Sequence, residues 1–194
     1  MSDDYTEMII LCEDKQQEVF LRRYLIKNGI NSRRIRVRPV PAGSGSGEQW
    51  VREEFPKEMR EHRSRATRLH IGLVVMQDAD QRSSNESSRE LEEQLKASGQ
   101  SPRRVAERVG LFFPRRNIET WIEFLNTGSP VDEKRRYPKL TEESDCYTGV
   151  DKLAAKNDYH LSFDVPASLR AACPEIRRIF PQKSCIDDES AGTA

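Results

Sequence analysis

The sequence predicts an α/β fold: a Rossmann-like, mostly parallel central sheet of about four strands, with helices on both faces and a small helical C-terminal extension. Two observations lead to this fold class. Short apolar runs alternate along the chain with segments of helical periodicity, which is typical of parallel strands joined by crossover helices. The most apolar run, residues 71–76, is short and uninterrupted, as expected of a strand buried on both faces of the sheet.

Four strands are predicted from the apolar runs. The second alternates apolar and arginine positions and contains prolines, which favours an edge of the sheet. The strands cover residues 8–12, 34–40, 71–76 and 109–113.

Helices are predicted between and after the strands. A Ser87–Glu90 capping box is expected to open the helix that stops at Gly99, and Ser101-Pro102 is expected to open a short helix. Pro56 is expected to kink or restart the helix that contains it, with residues 60–68 as a basic connection. The other predicted helices cover residues 16–28, 118–125 after an Asn117 cap, 148–156, 166–173 and 174–180, and one begins near residue 48.

Three regions follow from this order of elements. Residues 6–126 form an α/β domain, residues 127–185 form a helical extension packed on it, and residues 186–194 form a flexible tail. The Gly/Ser-rich stretch 42–47 is expected to be a mobile loop, since it lacks the G-K-[ST] sequence of a nucleotide-binding P-loop.

Composition excludes some classes of protein. The chain contains 32 Lys and Arg residues and 32 Asp and Glu residues. A strongly basic protein surface for nucleic-acid binding is therefore excluded, although local basic patches are not. The chain has no apolar run of transmembrane length, and its acidic N-terminus lacks a signal-peptide layout. The four cysteines form no C-x-x-C pair, which argues against zinc and for reduced thiols. We therefore expect a cytoplasmic protein with no membrane partner.

Acidic side chains follow two of the predicted strands. Asp78 and Asp80 come directly after the most apolar strand, and Glu13 follows the first strand. If these strands are neighbours, the acids meet at the carboxyl edge of the sheet, where open α/β sheets bind ligands. Unit charges about 5 Å apart repel by about 3 kcal/mol at an effective dielectric of about 20, and a divalent cation would offset that repulsion. The alternative is two solvated turn aspartates.

Other residues near this edge have two interpretations each. Glu119, in the first turn of the helix after strand four, is either a further metal ligand or a surface glutamate favoured by the helix dipole. Four basic residues are either phosphate contacts for a nucleic acid or local counter-charges: Lys15, Arg82, Arg115 and Arg116.

A glutamate after the first strand, then a helix, then an apolar strand ending in D-A-D resembles the TOPRIM fold over residues 6–126. That fold is shared by type IA and type II topoisomerases, bacterial primases and OLD-family nucleases. The later K-L-A-A-K and L-R-A-A-C-P stretches are similar to small standalone TOPRIM-like proteins from mobile or antiviral gene contexts.

The resemblance implies that Glu13 is a general acid/base or metal ligand, and that Asp78 and Asp80 bind Mg²⁺ or Mn²⁺. The chain departs from the family pattern in two places. Asp14 stands where many members have glycine, and Arg82 stands where several have a third acid.

These features predict a Mg²⁺-dependent nuclease that acts on DNA or RNA, as the effector of an antiviral defence or toxin system. The alternative is a non-catalytic or regulatory TOPRIM-like subunit that acts through a partner such as an ATPase. A phosphorylation-receiver domain is a third reading. It requires a lone phosphoacceptor aspartate and a lysine after a fifth strand, whereas this chain has D-x-D and Pro114-Arg115-Arg116.

Overall fold

The structure is a computed structural model that describes residues 5–41, 46–155, 158–159 and 165–185. Its central sheet contains β1 (Glu7–Cys12), β2 (Ile35–Arg38), β3 (Ile71–Met76) and β4 (Val109–Phe112). All neighbouring pairs are parallel and the strand order is β2-β1-β3-β4. The predicted fold class is therefore confirmed, and β2 lies at an edge as its alternating pattern indicates.

Seven α-helices are present in the described residues, with two short 3-10 helices at Ser32–Arg34 and Glu143–Cys146. The α-helices are α1 (Lys15–Lys27), α2 (Gly47–Arg65), α3 (Ser84–Ala97), α4 (Ile118–Thr127), α5 (Tyr147–Ala155), α6 (Ala167–Ala171) and α7 (Cys173–Ile179). A two-residue parallel pair, β5 (Asp158–Tyr159) and β6 (Ser184–Cys185), lies outside the main sheet. Across the described ranges, no helix has the length and apolar character needed to span a membrane.

Each face of the sheet is covered by its own set of helices. Ile9, Leu11 and Val75 project to one face and pack with α2 and α3. Ile10 and Val74 project to the other face and pack with α1 and with α4 to α7. Because successive strand residues point to opposite faces, the uninterrupted apolar strands supply both cores.

The C-terminal extension shares the second of these cores. Helix α5 packs against α1 and α4, and α7 packs against β4. Two buried hydrogen bonds fasten it: Trp121 Nε1 donates to Ser168 Oγ at 2.7 Å, and the Tyr5 hydroxyl donates to the Ile179 carbonyl at 2.6 Å. These contacts fix the extension on the face that carries α1 and α4.

Two helix predictions for the α2–α3 half of the fold are wrong. Helix α2 continues through Pro56 to Arg65, so residues 60–65 are helical and not a connection. The capping box of α3 is Ser83 with Glu86, because Ser87 is fully buried and Glu90 binds arginines.

The predicted short helix from Ser101 is absent, since residues 101–108 contain no helix. Glutamate side chains accept hydrogen bonds from backbone amides of this segment instead. Glu92 accepts from the Arg103 amide at 3.1 Å, and Glu107 accepts from the Arg104 amide at 2.8 Å.

Boundaries elsewhere shift by a few residues, and some expectations are not tested. Asn117 precedes α4 as predicted, but its side chain makes no capping hydrogen bond. The Gly/Ser loop at 42–45 and the tail at 186–194 lie outside the described residues.

Cys12 and Cys146 are free and buried, whereas Cys173 is disulfide-bonded, which differs from the expectation of reduced thiols.

Candidate active site

The direction in which strands are added reverses between β1 and β3, which is the topological switch point where α/β sheets bind ligands. Glu13 follows β1 and Asp78 follows β3, and the two strands pair in register from Glu7 with Ile71 to Cys12 with Met76. The Asp78 amide donates a hydrogen bond to Glu13 Oε1 at 3.1 Å. The structure thus brings together two acids that are 65 residues apart in the chain.

Gln17 joins these acids through its side-chain amide. Gln17 Nε2 donates to Asp78 Oδ1 at 2.8 Å, and Gln17 Oε1 accepts from the Glu13 amide at 3.0 Å. The side chain is fully buried, and it is held in place because Asp14 caps α1 by accepting from the Gln16 and Gln17 amides. Asp14, which stands where many TOPRIM proteins have glycine, therefore has a defined structural role.

Helix α2 begins against the backbone of Glu13. A Cβ atom at Gly47 would lie 2.5 Å from the Glu13 carbonyl oxygen, so only glycine permits this close approach. The next residue, Glu48, lies close enough for its charge to raise the pKa of Glu13.

Burial and neighbouring charges favour the protonated forms of Glu13 and Asp78. Burial, followed by the charges of Asp78 and Glu48, raises the pKa of Glu13 to about 9. Burial also raises the pKa of Asp78 to about 7, against the hydrogen bond from Gln17. The charges of Asp14, Glu119 and Asp80 add to the shift at Asp78. Six carboxylates therefore lie along this part of the sheet edge, and their charges act unfavourably on Glu13 or Asp78.

Asp80 departs from the extended geometry that would align it with Asp78. Its φ of 51° lies in the left-handed region, and so does the φ of 68° at Arg116. The Arg116 amide donates to the Asp80 carbonyl at 3.1 Å, so the two unusual residues hold each other. Such strain is concentrated at functional sites in many proteins. The Asp80 carboxylate is 48% exposed and pairs with Arg136 at 3.5 Å.

Glu119 is not a surface glutamate. It is only 4% exposed, and its Oε1 atom has no hydrogen-bond partner among the described residues. Burial raises its pKa, and the charge of Asp14 adds to that shift. The interpretation as a dipole-favoured surface residue is therefore wrong, although its first-turn position in α4 is as predicted.

The four predicted phosphate contacts divide into two kinds. Lys15 pairs with Glu18 at 2.9 Å, and Arg82 binds both Glu48 and Glu90, so these two are local counter-charges in this structure. Within the described chain, Arg115 and Arg116 have no carboxylate at ion-pair distance, and both are half-buried. Arg115 also forms an isolated bridge with Asp80 through the backbone.

Sequence reasoning missed three contributors to this edge: Gln17, Glu48 and the loop over residues 132–140, which we call the basic loop. This loop contains four cationic side chains, and Arg136 and Lys139 both lie close enough to favour ionisation of Glu119. The charge run K-R-R-Y-P-K was visible in the sequence. Its position over the acids was not, because that position depends on contacts with α1 and α4.

The residues at this edge suit a hard divalent cation. Such ions prefer carboxylate oxygens, and Mg²⁺ commonly uses only one or two of them with several waters. Among the described residues, Glu119 Oε1 has no hydrogen-bond partner, and the Asp78 carboxylate is bound by the neutral Gln17 amide. In the ranges that the structure describes, no three acid, histidine or cysteine side chains are already grouped to hold one ion.

Comparisons with known proteins found no matching family model, no matching curated protein and no matching solved structure. The resemblance to TOPRIM proteins therefore depends on the residues themselves, and the roles of Glu13, Asp78, Asp80 and Glu119 remain predictions.

Proposed function

We propose that this protein is a Mg²⁺-dependent nuclease that cleaves phosphodiester bonds in DNA or RNA, as the effector of an antiviral defence or toxin system. One observation carries the proposal: Glu13 and Asp78 are hydrogen-bonded neighbours at the switch point of a parallel sheet, and neither of them pairs with an arginine in the described chain. Clustered acids cost stability, so their juxtaposition is better explained by ligand binding than by folding.

Asp78 and Glu119 would hold the cation, with Asp80 at the exposed side of the same edge. When bound, Mg²⁺ supplies charge neutralisation at the attacked phosphate and lowers the pKa of a bound water. Gln17 keeps the Asp78 carboxylate and the Glu13 backbone in fixed positions. Glu13 would exchange a proton with the attacking or leaving oxygen, which is the general acid/base role implied by the resemblance.

The test is cleavage of plasmid DNA and of RNA by the purified protein with Mg²⁺, Mn²⁺ or EDTA. We expect metal-dependent cleavage that Asp78→Ala abolishes. Glu61→Gln is the matched control, because Glu61 pairs with Arg38 and Arg65 at the other end of α2. Cleavage in EDTA, or cleavage that survives Asp78→Ala, would contradict the proposed mechanism.

The second candidate is a non-catalytic subunit that acts through a partner such as an ATPase. It is favoured by the finding that no three potential ligands are grouped around one point in the described part of the chain. On this reading the isolated chain is inactive with every metal, and it co-purifies with a partner whose activity it alters.

A further inference from the structure

The basic loop crosses the carboxyl edge of the sheet beside the acids. Asn117 Nδ2, at the start of α4, donates to the Tyr137 carbonyl at 3.2 Å. The Leu140 amide donates to Gln16 Oε1, in the first turn of α1, at 3.0 Å. These two contacts fasten the loop to the helices that begin on either side of the candidate site.

The loop is also fastened at its beginning. Glu133 accepts from the Ala167 and Ser168 amides at 3.0 and 2.9 Å, which joins the loop to the start of α6. The Asp132 amide donates to the Tyr137 hydroxyl at 3.0 Å, which closes the loop on itself. The path of the loop is therefore defined by side-chain contacts on three sides.

Two cations of the loop face the acids, and they differ from the cations already paired at this edge. Arg136 is 68% exposed, and its ion pair with Asp80 is long, at 3.5 Å. Lys139 is exposed, and it is positioned by the adjacent Leu140, whose amide is bound to Gln16 in the first turn of α1. Arg82, in contrast, is 28% exposed and bound by two glutamates. Exposed ion pairs contribute only about 0 to 1 kcal/mol, so Arg136 can exchange Asp80 for another anion at little cost.

We propose that Arg136 and Lys139 bind the phosphate groups of a nucleic-acid strand and guide it to the acids. This inference rests on the proposed function, and it assigns substrate binding to the basic loop in place of Lys15 and Arg82. The guanidinium group of Arg136 matches phosphate oxygens in a two-pronged geometry, while Lys139 acts as a point charge. Arg136 is a counter-charge for Asp80 in the free protein and a phosphate ligand when substrate is bound.

The test uses fluorescent DNA and RNA strands with phosphorothioate linkages, and measures their affinity for the intact protein by anisotropy in Mg²⁺ over a range of salt concentrations. Arg136→Gln and Lys139→Gln are each expected to weaken binding by about five- to tenfold. Each should also lower the slope of log affinity against log salt by about one. Thermal melts confirm that each variant folds.

Lys134→Gln is the matched control. It removes the same charge from the same loop. Within the described residues the Lys134 side chain makes no hydrogen bond or ion pair, and only its amide donates a hydrogen bond, to Asp132. We expect its affinity to stay within about twofold of the wild type. Equal losses for Lys134→Gln and Arg136→Gln would overturn the proposal, because they would indicate a general charge effect.

Failure of this inference is distinguishable from failure of the proposed function. A wild-type protein that binds neither strand overturns the role of the basic loop. A protein that binds both strands through Arg136 and Lys139, yet cleaves neither ordinary DNA nor RNA with Mg²⁺ or Mn²⁺, leaves the loop assignment intact and overturns the nuclease.

Discussion

Acidic side chains have different partners at the amino edge of the central sheet, where the parallel strands begin, and at its carboxyl edge, where they end. At the amino edge, Glu7 binds Arg65, and Glu107 binds Arg63 at 2.8 Å and Arg104 at 3.1 Å. At the carboxyl edge, Glu13 and Asp78 are held by amides, and no arginine pairs with either of them in the described chain.

The pKa of Glu107 at the amino edge is lowered, whereas the pKa of Glu13 at the carboxyl edge is raised. Burial alone would raise the pKa of Glu107, but hydrogen bonds from Arg63 and from the Arg104 amide lower it to about 2. Burial and neighbouring acids raise the pKa of Glu13 to about 9. An acid that is paired stabilises the fold, whereas clustered acids without cations cost stability and indicate a ligand. The contrast separates paired carboxylates at the amino edge from unpaired ones at the carboxyl edge, where we propose that a cation binds.

The largest effect is expected from Glu119→Gln. Removing a buried, unpartnered carboxylate from the carboxyl edge should lower metal-dependent cleavage by about a hundredfold, since it removes a cation ligand. Glu123→Gln is the control, because Glu123 lies one turn further along α4 and is half-buried. Steady-state cleavage rates measure both variants, and equal rates for the two would remove Glu119 from the site.

The next largest effect concerns stability at the amino edge. Glu107→Gln should lower the free energy of unfolding by about 2 kcal/mol at neutral pH, because it leaves Arg63 without its partner. The folded-state pKa of about 2 lies below the ordinary 4.5, so this stabilisation is present above pH 4.5 and is lost as the pH falls toward 2. Urea unfolding at several pH values measures it. A difference that persists unchanged at pH 2 would contradict this account of Glu107.

Gln17→Leu sharpens the comparison at the carboxyl edge. Losing both hydrogen bonds should release Asp78 and the Glu13 backbone, and weaken Mn²⁺ binding by about tenfold or more. Calorimetric titration measures the affinity directly, without a substrate. Gln94→Leu, an exposed position on α3, is the control. If Gln17→Leu binds Mn²⁺ as tightly as the control does, the bridge has no role in positioning the acids.

The smallest effect is a gain in stability. In EDTA at pH 8, Asp78→Asn should raise the free energy of unfolding by about 1 kcal/mol, or the melting temperature by about 2–4 °C. The pKa of Asp78 is raised from 3.8 to about 7, so the favourable contribution of its neutral form is complete below pH 3.8. That contribution is lost as the pH rises through 7. The gain should therefore vanish near pH 4, and a variant less stable than the wild type at pH 8 would contradict the finding that burial and neighbouring charges disfavour the Asp78 carboxylate.

The sequence predicts the parts of this fold that depend on local patterning. The apolar runs identify all four strands of the main sheet, and the acids after β1 and β3 are at the carboxyl edge because every strand is parallel. The capping residue of α3 does not follow from spacing, because Ser83 with Glu86 and Ser87 with Glu90 are spaced alike. The burial of Ser87 decides between the two pairs.

The contributors that sequence reasoning missed depend on tertiary contacts. Gln17 looks like a solvent-exposed residue in the first turn of a helix, and only the position of β3 makes it buried. Glu119 follows the expected first-turn pattern of a surface acid, yet α4 packs so that it lies inside. The basic loop has no regular structure, and its path is set by Asn117 and Gln16.

The central claim is that the acids of the carboxyl edge form a cation site. The most direct measurement is anomalous diffraction from crystals soaked in Mn²⁺. We predict a peak at the Asp78 carboxylate, at a ligand distance of about 2.0–2.3 Å, with Glu119 on its other side. Density without a peak there, with Asp78 still bound to Gln17 and Asp80 to Arg136, would contradict the claim.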